Sequence, residues 1–309
     1  MRTDAGAGVR SRRERKPNGG RLKLCRFDND RLGVVRGDEV LDVTPALSEI
    51  PPQRWPLKPG DPLIANLDKV LAAVKALLPH APRKPLSSVR LLAPVASPTK
   101  IIGAPINYDD HIEESKKDPG IAHGREIKTI ADWGLFLKAN SALVGFGDEI
   151  RLRFPDRRND HEVELAVIIG RQGNRIAKER ALEYVCAYSI GLDMTVRGPE
   201  FQCFRKSIDT YAVLGPWMVT ADEITDPNAL DLSISVNGES KQHSNTKYLV
   251  YDVARLIEFA SSVYTLHPGD VIMTGTPAGV SPVKPGDVLR AYVQGVGEGE
   301  VRIAPAYAG

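Results

Sequence analysis

Along this chain the rhythm of hydrophobic and polar positions changes several times. From Leu22 the text LKLCRFDNDRLGVVRGDEVLDVT runs in short alternating stretches broken by Asn-Asp and Gly-Asp. That pattern predicts two or three strands of a small β-rich unit. Ile64 to Leu78, IANLDKVLAAVKALL, has apolar residues at helical spacing and predicts an amphipathic helix. A Pro-rich stretch from Pro79 to Pro98 then reads as a boundary, with a domain junction near residue 95. Beyond it, a helix is expected over Ala177 to Ala187, leading into the strand YSIGLDMT. A strand over Asp231 to Val236 ends in Asn237-Gly238, a hairpin signal. Leu249 to Tyr264 reads as helical, and VIMTGTPAG and LRAYVQGVGEGEVRI as strands cut by Pro and Gly turns. Strands and helices do not alternate cleanly, which argues against a doubly wound sheet and for an α+β, mainly β fold.

One segment breaks the rules of both buried and exposed strands. In NDHEVELAVIIG, Asn159 to Gly170, Glu162 and Glu164 point to one face, which continues through Ala166 and Ile168. The other face carries Val163, Leu165, Val167 and Ile169. A solvated edge would stay polar, and a buried sheet would lack the carboxylates. Buried carboxylates require a cation, a hydrogen-bond network or a proton.

Composition narrows the classes. The 309 residues suffice for one large domain, or one with a small companion. With 41 basic and 39 acidic residues there is no nucleic-acid footprint, and no apolar run approaches the roughly 20 residues of a membrane span. Three scattered cysteines form neither a disulfide framework nor a zinc cluster, which fits a reducing, cytoplasmic setting. Residues 1–20 are basic and Gly-rich, and read as a disordered leader.

Four constellations carry candidate chemistry. Glu162, Glu164 and Asp193 form an all-oxygen set suited to a hard cation such as Mg²⁺, although acids at this spacing also occur on half-exposed strands. In INYDDHIEESKKD, His111 and Glu114 lie three apart, so one helical turn sets an imidazole beside a carboxylate. The same spacing suits a charged, solvated helix, and Pro119-Gly120 after it suggests a lid. In FRKSIDTYAVLGPW, Lys206 precedes an apolar run and either faces a pocket or snorkels to the surface. In TGTPAG, hydroxyls and free N–H groups either bind a carboxylate or form a tight turn.

Seven segments in order, NYDDHIEES, FLKANSALVGFGD, DHEVELAVIIG, LDMTVR, KSIDTYAVLGPWMVTADEI, VNGESKQ and GDVIMTGTPAGV, resemble the fumarylacetoacetate hydrolase family. The likeness covers about Lys100 to Ile303, with the small β unit before it in keeping. It implies a mixed β-roll catalytic domain over residues 96–309, a small N-terminal β-rich domain over 21–95, and a homodimer. It implies one divalent cation, Mg²⁺ with Mn²⁺ or Ca²⁺ as alternatives, held by Glu162, Glu164 and Asp193. His111 and Glu114 would be the dyad that activates water, Lys206 would stabilise an enolate or oxyanion, and Thr276 would touch the substrate carboxylate.

The activity implied is a metal-dependent hydrolase cleaving a carbon–carbon bond in acylpyruvate-like or related dioxo acids through an enolate. The alternatives are a decarboxylase, or an enol–keto isomerase or hydratase, of 2-oxo acids in aromatic-compound catabolism, or a non-catalytic metabolite binder. A small oxo acid is the expected partner, with no nucleic acid and no membrane. Ala139 and Asn140 after FLK, Gly198 after Arg197, Pro105, and the twelve-residue link between Asp193 and Lys206 depart from the family pattern. They leave the choice of substrate open.

Overall fold

A computed structural model describes residues 22–304, so the basic leader of residues 1–20 lies outside the described residues. A twelve-stranded mixed sheet runs through the molecule. Its centre is three antiparallel neighbours: Ala212–Thr220, Val185–Asp193 and Val163–Ile169. On one flank follow Val271–Met273, Ile101–Gly103 and Phe136–Lys138. On the other, Lys23–Phe27 pairs with Ala212–Thr220 and carries Arg31–Arg36 and Glu39–Asp42 beyond it. These three N-terminal strands agree with the alternation read in LKLCRFDNDRLGVVRGDEVLDVT. A five-stranded sheet, built on Asp231–Val236 and Val288–Val293, packs against this layer. Three short strands, Thr195–Val196, Asn159–His161 and Ser281–Pro282, cap the central strands.

The Val163–Ile169 strand is buried at every position, so its apolar run has a simple cause: both faces are covered. Val163, Leu165, Val167 and Ile169 join one core with Leu232, Leu256 and Leu289. Ala166 and Ile168 join a second with Leu24, Met218 and Val74. The central sheet therefore separates two hydrophobic cores.

Two of the three helical expectations were met, with shifted ends. The amphipathic helix spans Leu67–Leu77, preceded by a separate turn, Pro62–Ala65, whose N-cap Asp61 accepts from Leu63 and Ile64 N–H. The later helix is Val253–Val263, with Asp252 as its N-cap. The expected helix over Ala177–Ala187 is instead a 3₁₀ segment, Lys178–Tyr184. Val185 and Ala187 pair with Ile169 and Ile168, so the sheet ladder claims the residues a helix would need. Asn237 and Gly238 both have positive φ, 52° and 84°, as the hairpin signal requires.

Candidate active site

The antiparallel register fixes the carboxylates. Val163 lies opposite Leu192 and Glu164 opposite Gly191, and Asp193 N–H donates to the Glu162 carbonyl at 2.9 Å. Residues opposite each other share a face, so Glu162, Glu164 and Asp193 converge at one end of the sheet. Their ligand oxygens lie within 4.8 Å of one another and all three side chains are buried.

The three are not equally compensated. Glu162 accepts from Arg197 at 2.8 Å and Lys206 at 2.6 Å. Asp193 accepts from Lys206 at 2.5 Å through one oxygen and from Lys138 through the other. Glu164 accepts the Gly275 N–H at 2.6 Å and has no ion pair among the described residues. Burial alone would raise both glutamates, but Lys206 and Arg197 hold the Glu162 carboxyl well below its ordinary value. Burial and the nearby Asp193 charge push Glu164 well above its own. Gly275 makes its bond from φ 98°, where a Cβ would stand 2.6 Å from the Asn107 Cβ, so only glycine fits.

This donor set fits a hard divalent cation. It is all oxygen, it is crowded, and it holds an uncompensated acid whose burial is costly without a positive partner. Glu162, Glu164 and Asp193 are the residues that would hold the ion.

Lys206 stands at the end of the short helix Gln202–Lys206, buried rather than snorkelling. Its ammonium donates to Glu162, Asp193 and Thr195, the last at 2.7 Å, and lies over the Phe136 ring at 5.1 Å. Burial opposes its charge, but the two carboxylates raise its pKa. All three N–H bonds are used, so the ammonium acts through its charge rather than through a spare hydrogen bond.

His111 lies in the helix Asp109–Lys117, buried, with Nδ1 2.7 Å from Glu114 Oε2. The other Glu114 oxygen accepts the Gly279 N–H at 2.9 Å, tying the dyad to the TGTPAG loop. Thr276 is also buried, but its hydroxyl is engaged: it donates to the Val163 carbonyl at 2.9 Å and accepts from Gln242 Nε2 at 2.7 Å. His111, Glu162, Glu164, Lys206 and Thr276 line one narrow cavity of about 50 Å³. Ile121, Ala122, Ile127 and Trp133, from the segment after Pro119, form its cover.

Several residues of this network escaped the sequence reading. Asp160 continues the Glu162 and Glu164 face two residues earlier, and Arg197 bridges it to Glu162 at 2.8 Å to each. Extending the period-two pattern back from E-x-E to D-x-E-x-E would have found it. Arg158 joins Asp160 to Asp118 at the start of the cover, both at 2.8 Å. Lys138 is buried at the end of FLK, and that burial lowers its pKa despite Asp193. Gln242, in VNGESKQ, holds the Thr276 hydroxyl, the Pro277 carbonyl and the Val163 N–H together. No local pattern marks it, because its partners come from two distant segments.

The sequence that builds this sheet and its acidic end matches a known family. Residues 100–304 match the model described as "Fumarylacetoacetate (FAA) hydrolase C-terminal". The chain belongs to the fumarylacetoacetate hydrolase family. A maleylpyruvate hydrolase of Aquipseudomonas alcaligenes is 55% identical over 278 residues, covering 89% of this chain and 97% of that protein. A crystal structure of maleylpyruvate hydrolase from Sphingobium sp. SYK-6 in complex with manganese(II) and pyruvate superposes with a TM-score of 0.77 at 42% identity, covering 92% of this chain and all of that one. A rat mitochondrial oxaloacetate tautomerase is 35% identical over 237 residues, covering 73% of this chain and 72% of that protein. Among the described residues no helix is long and apolar enough to cross a membrane.

Proposed function

We propose that this chain is a divalent-metal-dependent hydrolase that cleaves the carbon–carbon bond of an acylpyruvate-type dioxo acid, with maleylpyruvate the first candidate. The observation that carries the reading is that His111, paired with Glu114, lines the same narrow cavity as Glu162 and Glu164. The 55% identity to a maleylpyruvate hydrolase supports the choice of substrate. Family membership alone would not, because one fold hosts several reactions.

A bound divalent ion would polarise a substrate carbonyl and lower the energy of the enolate that departs. The protein's own groups do the rest. With Nδ1–H donated to Glu114, Nε2 is the nitrogen left to accept a proton from a substrate water. His111 removes a proton from that water as its oxygen bonds to the acyl carbon. The bond between that carbon and the pyruvyl methylene breaks, its electron pair leaves on the enolate, and a proton then returns to carbon. One water is consumed, and one carboxylic acid and one 2-oxo acid are released. Lys206 contributes a fixed positive charge, and the apolar cover excludes competing water.

A second reading draws on the tautomerase relative: the same site moving a proton without hydrolysis. The test is purified protein with maleylpyruvate, acetylpyruvate and oxaloacetate, each with Mg²⁺, with Mn²⁺ and with chelator. The hydrolase reading requires two acids in equal amounts, only with metal. Accelerated keto–enol exchange without cleavage would replace it with the tautomerase, and carbon dioxide from oxaloacetate with a decarboxylase.

A further inference from the structure

The cavity contains a cation that the hydrolytic scheme does not use. Arg205 is 6% exposed and lines the cavity, yet among the described residues it has no carboxylate in hydrogen-bond contact. Its Nε donates to the Glu200 carbonyl at 2.9 Å, and its buried Nη1 finds no partner among the described residues. The acids around it are committed elsewhere. Glu162 is taken by Arg197 and Lys206, Asp193 by Lys206 and Lys138, and the Glu200 carboxylate by Arg157 at 2.9 and 2.7 Å.

The neighbouring positive charges add to the imbalance. Arg125, from the cover, donates to the same Glu200 carbonyl at 2.9 Å, so two guanidiniums converge on one backbone oxygen. Burial, with Arg197 and Arg125 close by, lowers the Arg205 pKa to about 10. A second unsatisfied group lines the same space: the Ser115 hydroxyl, one turn beyond His111, is buried with no partner. A buried, unpaired guanidinium and a buried, unpaired hydroxyl in one closed cavity are both costly unless something completes them. A carboxylate entering this cavity is the kind of acceptor that both donors lack.

We propose that Arg205, assisted by Ser115, receives the distal carboxylate of the substrate, so that the site selects dicarboxylic over monocarboxylic dioxo acids. This rests on the hydrolase reading above for the nature of the reacting end. It adds a specificity determinant at the other end, where the acyl fragment leaves.

The test compares wild type with Arg205→Met, Arg205→Gln and Ser115→Ala on a dianion, maleylpyruvate, and a monoanion, acetylpyruvate. Removing one partner of a buried charge pair predicts that Arg205→Met loses at least roughly 100-fold in kcat/KM on maleylpyruvate and less than about threefold on acetylpyruvate. Arg205→Gln, which keeps a donor for the Glu200 carbonyl but no charge, reads the same ratio should the methionine variant not fold. Ser115→Ala shifts the ratio in the same direction by less. Calorimetric titration gives a readout without turnover: maleate binding weakens at least about tenfold in the Arg205 variants while pyruvate binding is unchanged. An equal fall on both substrates, or maleate binding that survives loss of Arg205, overturns the assignment. Wild-type protein that cleaves neither substrate would sink the hydrolase reading, while the maleate titration would still decide the role of Arg205.

Discussion

Two buried acidic sites in this molecule, one a single carboxylate and one a cluster of three, solve the same problem in opposite ways. At the Asp270 turn one carboxylate is fully buried, and nearly every lone pair is used: Lys100 Nζ at 2.6 Å, the N–H groups of Thr99, Lys100 and His267, and the Thr99 hydroxyl. One acid meets one cation and a ring of fixed donors. At the end of the central sheet, Glu162, Glu164 and Asp193 crowd together, and Glu164 is left with a single backbone N–H. The first arrangement locks a turn. The second is a deficit that stays costly until a cation arrives, which is how a buried site keeps an opening for a ligand.

The sharpest way to break the comparison is to neutralise the deficit. Glu164→Gln should lower metal-dependent turnover by more than about 100-fold, since even outer partners of metal ligands are worth 10- to 100-fold. In metal-free protein the same change should leave the unfolding midpoint unchanged or raise it, because a buried like-charge contact with Asp193 is relieved. A drop in midpoint would show that Glu164 is structural after all. Asp270→Ala should do the reverse. It strands Lys100 and should cost about 3 kcal/mol in denaturant unfolding, with little effect on the kcat of the folded fraction.

Smaller effects sharpen the contrast. Glu114→Gln keeps the shape beside His111 and removes the charge that orients it. A kcat loss of about 100-fold with KM nearly constant is expected, at the lower end of what acid–base catalysis supplies. Equal changes in kcat and KM would point to a lid defect instead. The least effect is at Asp42, a structural acid of the N-terminal strands. Burial opposes its charge, but Thr44 and Arg31 hold its carboxyl below the ordinary 3.8. Its contribution to stability is therefore present above that value and is lost as pH falls through the lower, folded one. Asp42→Asn should flatten the acid limb of a stability–pH curve in that window and leave the neutral region nearly unaltered.

What was legible in the sequence follows the range of the forces involved. Period-two alternation located the N-terminal strands, and E-x-E on an apolar run raised a buried acidic site as one of two readings. The three-residue spacing of His111 and Glu114 anticipated their contact because a helical turn is local geometry. Ala177–Ala187 misled because its residues tolerate a helix, while the pairing of Val185 with Ile169 is decided by the sheet. Lys138, Gln242 and Arg205 were illegible for the same reason. Lys138 and Gln242 bond to partners from other segments, Arg205 is marked only by its burial in the fold, and a lone Lys, Gln or Arg carries no periodic signal. The three carboxylates alone would have left surface acids as an equal reading; it was the order of seven segments that separated the two.

The parallel pairing of Ile101–Gly103 with Val271–Met273 joins residues 170 positions apart. That ladder leads into Ala104 on one side and, two residues past Thr274, into Thr276 on the other, both of which line the cavity. Closing so long a loop must precede any reward from its contacts, which makes this pairing a late event in folding. Glu162, Glu164 and Asp193 can gather earlier, through the nearer pairing of adjacent antiparallel strands. A chain emerging from synthesis would thus assemble its acidic cluster well before the dyad, the loop and the cover are brought to it, and reactivity would be the final property it acquires.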